Sequence, residues 1–369
     1  MRISAIKYSV ALVAFLLCGR DSVFAQSEFK GFEAMFTQPK SYVVQHTSTA
    51  IKVDGVLQES DWQKVEWTSS FVDIEGAAKP LPAFDTKVKM LWNDSTLFIA
   101  AKMVEPQVWA TQTHHDDIIY KDNDFEIFID PDNDTHQYFE IEVNALNKIF
   151  DLFLSKPYRN GGDALISWDV AGLKSAVTVQ GTLNNTKDTD KGWTVEMAIP
   201  MKALMFGFNT GIPKEGATWR VNFSRVEWDT KIVNGKNVKL KDNSGKNLPE
   251  RNWVWSPQGV INMHCPERWG YLQFSRNAGQ TFTMPYSEKQ RQWLWLVYYK
   301  QKEFFAKNKK YAIDLPALGM PVEVDIDGKV NQLSLTASAK QFSAAINTQA
   351  GDVLIINDEG LVKTQTYTP

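Results

Sequence analysis

Hydrophobic and polar residues alternate in short runs along most of the chain, from Ser41 to about Arg276. Successive side chains of a β-strand point to opposite faces, so this pattern predicts strands with one face in a core and the other toward solvent or ligand. The clearest runs are Val88–Trp92, Leu97–Met103, Phe125–Ile129, Phe139–Val143, Trp193–Ile199 and Trp219–Phe223. Asn, Asp, Gly and Pro separate them, and no long amphipathic helix precedes residue 280. The pattern predicts an all-β fold, a single β-sandwich over residues 41–276.

The pattern changes in the last part of the chain. Ser287 and Gln290 form a capping-box sequence, and an apolar stripe at helical spacing follows as far as Phe305. Further hydrophobic runs meet at turn sequences such as Asp327–Gly328. We therefore expect residues 281–369 to form a helix followed by a few strands, a small C-terminal α+β appendage with its own modest core.

The N-terminus has the features of an export signal. A positively charged start precedes the apolar stretch Val10–Cys18, which is too short to span a membrane. Val23–Ala25 then places small residues where a signal peptidase requires them, so residues 1–25 are predicted to be a signal peptide. The mature protein is expected to be secreted or periplasmic, without a transmembrane segment. A lipid anchor on Cys18 is a weaker alternative, because Leu17 is bulky where that signal needs a small residue.

Composition narrows the possible function classes. The 40 basic and 43 acidic residues nearly balance, at a formal charge of −3, which excludes the basic surface of a nucleic-acid-binding protein. Aromatic residues reach 12%, with 13 Trp, a content typical of a β-rich core or of a surface that stacks on sugars. Once the signal peptide is removed, Cys265 is the only thiol, so no intramolecular disulfide and no Cys-based zinc site is expected.

One strand face carries an unusual set of polar residues. Tyr138, Glu140, Glu142 and Asn144 share a face of the same strand, and Glu126 from a neighbouring run could join them. Sugar hydroxyls need several acceptors and donors on a rigid scaffold with an aromatic surface nearby. The pattern is consistent with such a site, and equally with an ordinary solvated face of a sandwich.

Several motifs in the same order resemble the family 9 carbohydrate-binding modules. They are Lys52–Trp62, Val88–Ala100, Asp124–Asp130, Tyr138–Asn147, Gly192–Glu196 with Ile199–Pro200, and Trp269–Leu272. The most specific match is Asp124–Asp130, and the resemblance covers roughly residues 45–275. It implies a single β-sandwich that binds sugars without cleaving them, usually attached to secreted glycoside hydrolases and containing structural calcium.

The resemblance also implies an aromatic clamp. In sugar-binding members two aromatic residues enclose the terminal sugar ring above a polar strand face. One position matches Tyr120, and the other lies in a loop before the closing aromatic-Gly pair, where this sequence has Trp253 and Trp255. The motif glutamate of the family matches Glu126.

One position departs from the family pattern. The family's Arg-x-Asn pair matches Glu142 and Asn144, so a carboxylate replaces the arginine. An arginine only donates hydrogen bonds and an ionised carboxylate only accepts them, so the family's preference for reducing ends is not carried over. We expect the floor of the cleft to consist of Glu126, Glu140, Glu142 and Asn144.

Two acidic segments are candidates for a metal ion. Asp130, Asp132 and Asp134 offer the oxygen ligands that calcium prefers, although an Asx-rich turn at a strand end explains them as well. His114–Asp117 could suggest a transition-metal site. However, adjacent histidines on a strand point in opposite directions, and no third ligand follows at a matching spacing. We therefore interpret this segment as a loop that lines the binding cleft, and we expect no required cofactor.

Three functions follow from these observations. The first is an exported protein that binds poly- or oligosaccharides in carbohydrate catabolism, with secreted glycoside hydrolases as possible partners. The second is a glycoside hydrolase in which Glu126 pairs with Glu140 or Glu142, since cross-strand neighbours can meet the spacing of catalytic carboxylates. The third is a sandwich without sugar binding that serves as a structural module of the envelope.

Overall fold

A computed structural model describes residues 28–205, 212–348 and 352–365. The predicted signal peptide, residues 1–25, lies outside the described residues. Within the described ranges the chain forms a 13-stranded mixed sheet, a separate two-stranded hairpin and a five-stranded antiparallel sheet. The predicted all-β fold with a C-terminal appendage is confirmed.

The large sheet has the strand order β8-β7-β6-β5-β11-β15-β1-β3-β4-β10-β9, with β14 paired to β11 and to β2. The strands are β1 (Ser41–His46), β2 (Val72–Asp73), β3 (Thr86–Trp92), β4 (Thr96–Met103), β5 (Asp124–Asp130), β6 (Tyr138–Asn144), β7 (Ile149–Leu154), β8 (Ala164–Leu165), β9 (Lys174–Gln180), β10 (Gly192–Pro200), β11 (Thr218–Glu227), the hairpin β12 (Thr230–Val233) and β13 (Lys236–Lys239), β14 (Arg251–Val254) and β15 (Gly270–Ser275). Strand β1 pairs in parallel with both β15 and β3 and so joins the two halves of the curled sheet.

The two halves of this sheet enclose one hydrophobic core. Phe125 and Ile127 of β5 contribute to it from one half, and Trp193 and Val195 of β10 contribute from the other. All of them are fully buried, and each such side chain stabilises the fold by roughly 1.5–3 kcal/mol. The hydrophobic positions of the predicted alternation therefore form this core, because every second side chain of each strand points into it.

The outer face of β3, β4 and β10 is covered by the helix α1 (Ser60–Lys64). Trp62 of α1 is fully buried there, and its Nε1–H donates a hydrogen bond of 2.9 Å to Glu196 Oε1 on β10. The other oxygen of Glu196 accepts from the backbone N–H groups of Asp54 and Gly55. Glu196 therefore fixes the segment before α1 on the sheet.

The C-terminal part consists of the helix α2 (Tyr286–Asn308) and the five-stranded sheet. The strands are β16 (Glu323–Ile326), β17 (Lys329–Ala337), β18 (Phe342–Thr348), β19 (Val353–Asn357) and β20 (Val362–Gln365). The predicted helix followed by strands is present. The predicted capping box is wrong, because α2 starts at Tyr286 after Pro285 and Ser287 lies inside its first turn. None of the helices in the described part of the chain combines the length and the hydrophobicity that a membrane-spanning helix needs.

Buried polar contacts attach α2 to the sandwich. Arg220 of β11 lies 2.8 Å from Glu288 of α2, and both side chains are nearly inaccessible to solvent. The Tyr271 hydroxyl also donates to Glu288, and the Arg220 guanidinium stacks 3.8 Å from the Tyr271 ring. Asn133 donates to the other oxygen of Glu288 at 2.7 Å. Glu288 is therefore the carboxylate that neutralises the buried arginine at this contact.

The first described residues pack on the same C-terminal core. Phe29 contacts Trp293 edge-on with ring centroids 5.2 Å apart, and Phe32 stacks on Tyr299 at 6.0 Å. A short 3₁₀ helix, Glu33–Phe36, carries this segment to β1. The two ends of the described chain therefore meet in one hydrophobic cluster.

Replacing Glu288 should destabilise the protein strongly. The variant Glu288→Gln keeps the shape of the side chain but leaves the buried charge of Arg220 without its partner, at an expected cost of about 3–5 kcal/mol in the free energy of unfolding. Urea unfolding checks this, with Glu303→Gln on the exposed face of α2 as the matched control, expected to change stability by less than about 0.5 kcal/mol. Equal stabilities of the two variants would contradict the prediction.

Candidate functional site

Three neighbouring strands carry a second side-chain face that points away from the core. Glu126 of β5 lies opposite Glu142 of β6, and Glu140 lies on the same face of β6. On β7, Phe150 is opposite Glu142 and Leu152 is opposite Glu140. The pairing therefore places carboxylates in the middle of this face, with apolar side chains beside them.

These side chains form the floor of a cavity of about 450 Å³, a volume within the range of small-ligand sites in proteins. Its walls come from the turn before β5, the connection after β7, strand β14 and the loop before β15. The wall residues include Tyr120, Tyr158, Glu250, Asn252, Ile261 and His264. Of the residues predicted for the site, the structure brings Tyr120, Glu126, Glu140 and Glu142 together in this cavity.

Two tyrosines stand at the rim of the cavity. Tyr120 is 42% exposed and Tyr158 is 46% exposed, so both rings are accessible to a ligand. The Tyr120 backbone N–H donates to Glu142 Oε2 at 2.9 Å, and its carbonyl accepts from Trp228 Nε1 at 2.8 Å. Glu142 therefore holds the turn that presents Tyr120 and also forms part of the floor.

Trp253 and Trp255 do not line this cavity. They are 3% and 1% exposed and pack into the sandwich core. Because side chains of β14 alternate, Asn252 faces the cavity while Trp253 points to the opposite side, near the Arg225 guanidinium at 5.4 Å. The prediction that one of these tryptophans forms the clamp with Tyr120 is wrong, because Trp253 lies in a paired strand, Trp255 follows it directly, and both side chains are buried in the core.

Asn144 is also absent from the cavity. Its Nδ2 group donates to Gln112 O at 2.9 Å and to Asp122 Oδ2 at 3.0 Å. Its Oδ1 accepts from the backbone N–H groups of Leu146 and Lys148. These contacts use both donors and the acceptor oxygen, so Asn144 holds the turn between β6 and β7 and is not part of the predicted floor.

Burial dominates the electrostatics of the floor. It raises the pKa of Glu126 to about 7. It also raises the pKa values of Glu140 and Glu142 well above the usual range, with the nearby charge of Glu126 as the next cause. Asp124 is fully buried beside them, its Oδ2 has no hydrogen-bond partner, and burial raises its pKa too. Such a group of carboxyls can share protons at neutral pH or hold a cation.

Four glutamates line the cavity, namely Glu126, Glu140, Glu142 and Glu250. No lysine or arginine is among its described lining residues. The buried guanidinium of Arg225 is engaged elsewhere, with Glu105 at 2.6 Å and Glu227 at 2.8 Å. The potential inside the cavity is therefore negative whenever its carboxyls are ionised.

Tyr158 and His264 are among the wall residues that the sequence did not predict for this site. Tyr158 lies in a 3₁₀ turn after β7, at a position that no spacing rule indicated. His264 packs against it with ring centroids 4.5 Å apart, and its Nδ1 lies 3.0 Å from the Tyr138 hydroxyl. Burial, followed by the charge of Arg159, lowers the pKa of His264 to about 4, so the imidazole is neutral at physiological pH. The family resemblance places the second aromatic residue of the clamp in the loop before the closing strand. In this chain that loop contributes His264 to the cavity wall.

Comparison with protein families decides the assignment. The family model of carbohydrate family 9 binding domain-like proteins matches residues 53–273. The chain belongs to this family. Its sequence has no significant match among curated proteins.

Solved structures with a similar fold include family 9 modules. A module from Caldicellulosiruptor kristjanssonii in complex with glucose has 16% identity and a TM-score of 0.43, over 66% of this chain and 100% of that chain. A structure of a family 9 module from the same organism in complex with cellotriose has 16% identity and a TM-score of 0.42. The match covers 66% of this chain and 99% of that chain. A proposed carbohydrate-binding protein from Bacteroides uniformis gives 16% identity and a TM-score of 0.48, over 64% and 100% of the two chains. The assignment depends on the family model.

The acidic turn of this family 9 domain has structural contacts of its own. Oxygens of Asp130, Asp132 and Asp134 lie within 4.8 Å of one another, close enough for one calcium ion. Asp130 already accepts backbone hydrogen bonds from Asn133 and Thr135, at 2.9 Å each, as in an Asx-rich turn. Calcium at this turn therefore stays a prediction.

The raised pKa of Glu126 makes stability depend on pH. Since its pKa is about 7 in the folded family 9 domain against 4.5 ordinarily, the native state holds a proton that the unfolded state loses. This contribution is present below pH 4.5 and is lost as the pH rises through 7, at a cost of about 3 kcal/mol. Wild type should therefore lose stability relative to Glu126→Gln over this interval.

Urea unfolding with EDTA, at several pH values from 4.5 to 8, measures the difference. The exposed variant Glu303→Gln is the control and should follow wild type at every pH. A constant difference between wild type and Glu126→Gln would contradict the assigned pKa.

Proposed function

We propose that this chain is an exported carbohydrate-binding protein that holds a poly- or oligosaccharide in the cavity between Tyr120 and Tyr158. The observation that carries the proposal is that Glu126, Glu140 and Glu142 lie on the floor of a cavity that two accessible tyrosines also line. Aromatic faces provide a flat apolar surface for the C–H groups of a sugar ring, and the carboxyls can hydrogen-bond its hydroxyls. Membership of the family supports the same ligand class.

The raised pKa values suit hydroxyl recognition. A protonated carboxyl donates one hydrogen bond and still accepts others, whereas a carboxylate only accepts. Glu126, with a pKa of about 7, changes between these two forms near neutral pH. A floor of this kind can match sugar hydroxyls in either role without the arginine that other family members use.

The charge of the cavity favours neutral sugars over acidic ones. Above pH 7, where Glu126 on the floor is ionised, the cavity would repel the carboxylate of a uronic acid, and no lysine or arginine among its described lining residues offsets this charge. We therefore expect cello-, xylo- or manno-oligosaccharides to bind more tightly than oligogalacturonates of the same length. Calorimetric titrations at pH 8 compare them, and tighter binding of the acidic series would contradict the proposed site.

The two rim tyrosines are expected to carry much of the affinity. Replacing Tyr120 or Tyr158 by Ala should cost ~1–3 kcal/mol, hence about 5- to 150-fold in affinity, by analogy with bases that stack on aromatic side chains. Tyr→Phe at the same positions keeps the ring and should retain most of the binding. The titrations use a neutral oligosaccharide selected on a glycan array, and melting curves establish that each variant is folded. Unchanged affinity in both Ala variants would place the ligand elsewhere.

A glycoside hydrolase remains the second candidate. It is favoured by the pKa of about 7 at Glu126, which suits a general acid, and by the nearby carboxyl of Glu142. New reducing ends from a bound oligosaccharide, abolished in Glu126→Gln, would establish it. If no glycan binds and none is cleaved, a structural role in the envelope becomes the better account.

The cellular location and the biological process are inferred from features outside the cavity. Export rests on the predicted signal peptide, and a role in polysaccharide catabolism rests on the secreted glycoside hydrolases that usually accompany the family. Copurification with such a hydrolase from the producing cells would test the partner.

A further inference from the structure

A second polar group lies on the opposite side of β7 from the cavity. Asp151 stands between Ile149 and Phe153, two residues that belong to the sandwich core, at a position where a carboxylate is unexpected. It is 1% exposed. The loops that carry His115 and Asp169 reach it from separate parts of the chain.

Only one oxygen of Asp151 is used within the protein. Its Oδ2 accepts a hydrogen bond of 2.6 Å from the backbone N–H of Val170, while Oδ1 is buried and has no hydrogen-bond partner. A buried carboxylate oxygen without a partner costs folding free energy unless a proton, a cation or a ligand satisfies it. Oδ1 lies 3.6 Å from His115 Nε2.

The histidine is oriented as a metal ligand would be. Asp116 Oδ1 lies 2.9 Å from His115 Nδ1, an arrangement like the carboxylate–histidine pairs that orient metal-binding histidines. Nε2 then faces two carboxylate oxygens, Asp151 Oδ1 at 3.6 Å and Asp169 Oδ1 at 3.8 Å. A backbone hydrogen bond of 3.0 Å from Asp116 to Ile149 holds this loop on β7.

The spacing fits a small cation. Bonds of about 2.0–2.2 Å to nitrogen and oxygen at tetrahedral angles place neighbouring ligand atoms about 3.4 Å apart. The distances from His115 Nε2 to the two oxygens exceed this value by only a few tenths of an ångström. An imidazole among the ligands favours zinc and other transition metals over calcium, which prefers oxygen alone.

We propose that His115 Nε2, Asp151 Oδ1 and Asp169 Oδ1 bind one divalent transition-metal ion, with Zn²⁺ as the representative ion. Asp116 is the positioning residue, because its carboxylate lies against Nδ1 of the His115 ring, on the side away from Nε2. The ion would neutralise the buried Asp151 carboxylate and tie the loops of His115 and Asp169 to β7. This site is separate from the cavity and does not depend on sugar binding.

Calorimetric titration of the chelator-treated, tag-free mature protein with ZnCl₂ tests the site. Wild type should bind one zinc ion per chain, and the matched control His114→Ala, which changes the adjacent exposed histidine, should bind equally. His115→Ala, Asp151→Asn and Asp169→Asn should each bind at least tenfold more weakly, and Asp116→Asn about 10- to 100-fold more weakly. Zinc should raise the melting temperature of wild type but not that of His115→Ala.

Three results would overturn the proposal. The first is no zinc binding by folded wild type, which would show that these side chains do not form a metal site. The second is wild-type affinity in His115→Ala or Asp151→Asn, which would place the zinc elsewhere. The third is displacement of zinc by an equal concentration of CaCl₂, which would indicate a site of oxygen ligands alone. Melting curves of the metal-free variants separate loss of zinc from loss of fold.

Discussion

The alternation of side chains along β5 and β6 is the constraint on which both the core and the cavity depend. Phe125 and Ile127 point into the sandwich, while Glu126 between them points to the cavity floor. The core and the floor cannot change independently, because a shift of the strand register by one residue would exchange the side chains of the two faces. The strand pairing that fixes the core therefore also fixes the positions of the floor carboxyls, as the proposed recognition of a sugar ring would require.

This arrangement costs stability. Glu126 and Glu142 are directly opposite each other on adjacent strands, a pairing that is unfavourable when both are ionised. The hydrogen bond from the Tyr120 N–H stabilises the Glu142 carboxylate in part. Burial raises the pKa values of Glu126 and Glu140 and so favours their protonated forms. Residues that break the usual rules of packing without a gain in stability are expected where a protein binds something. The carboxyls on this face are such residues.

Local pattern was sufficient for much of the fold and for part of the site. Alternation predicted the strands, and the match around Glu126 located the floor, because both depend on neighbours in sequence. Trp253 and Trp255 were misplaced, since their spacing does not reveal whether the segment is a loop or a paired strand. Tyr158 and the partners of His115 could not be predicted, because Asp151 and Asp169 approach it only through the tertiary fold.

The packing of the first described residues on the last part of the chain has a consequence for biosynthesis. Phe29 packs on Trp293 and Phe32 packs on Tyr299, and both partners lie on α2, which a ribosome makes after the whole sandwich. Until then an aromatic segment at the leading end of the chain has nowhere to be buried, and exposed segments of this kind are prone to aggregate. The segment that carries Phe29 and Phe32 therefore stays without these contacts during synthesis of the whole sandwich, an interval in which a chaperone could protect it.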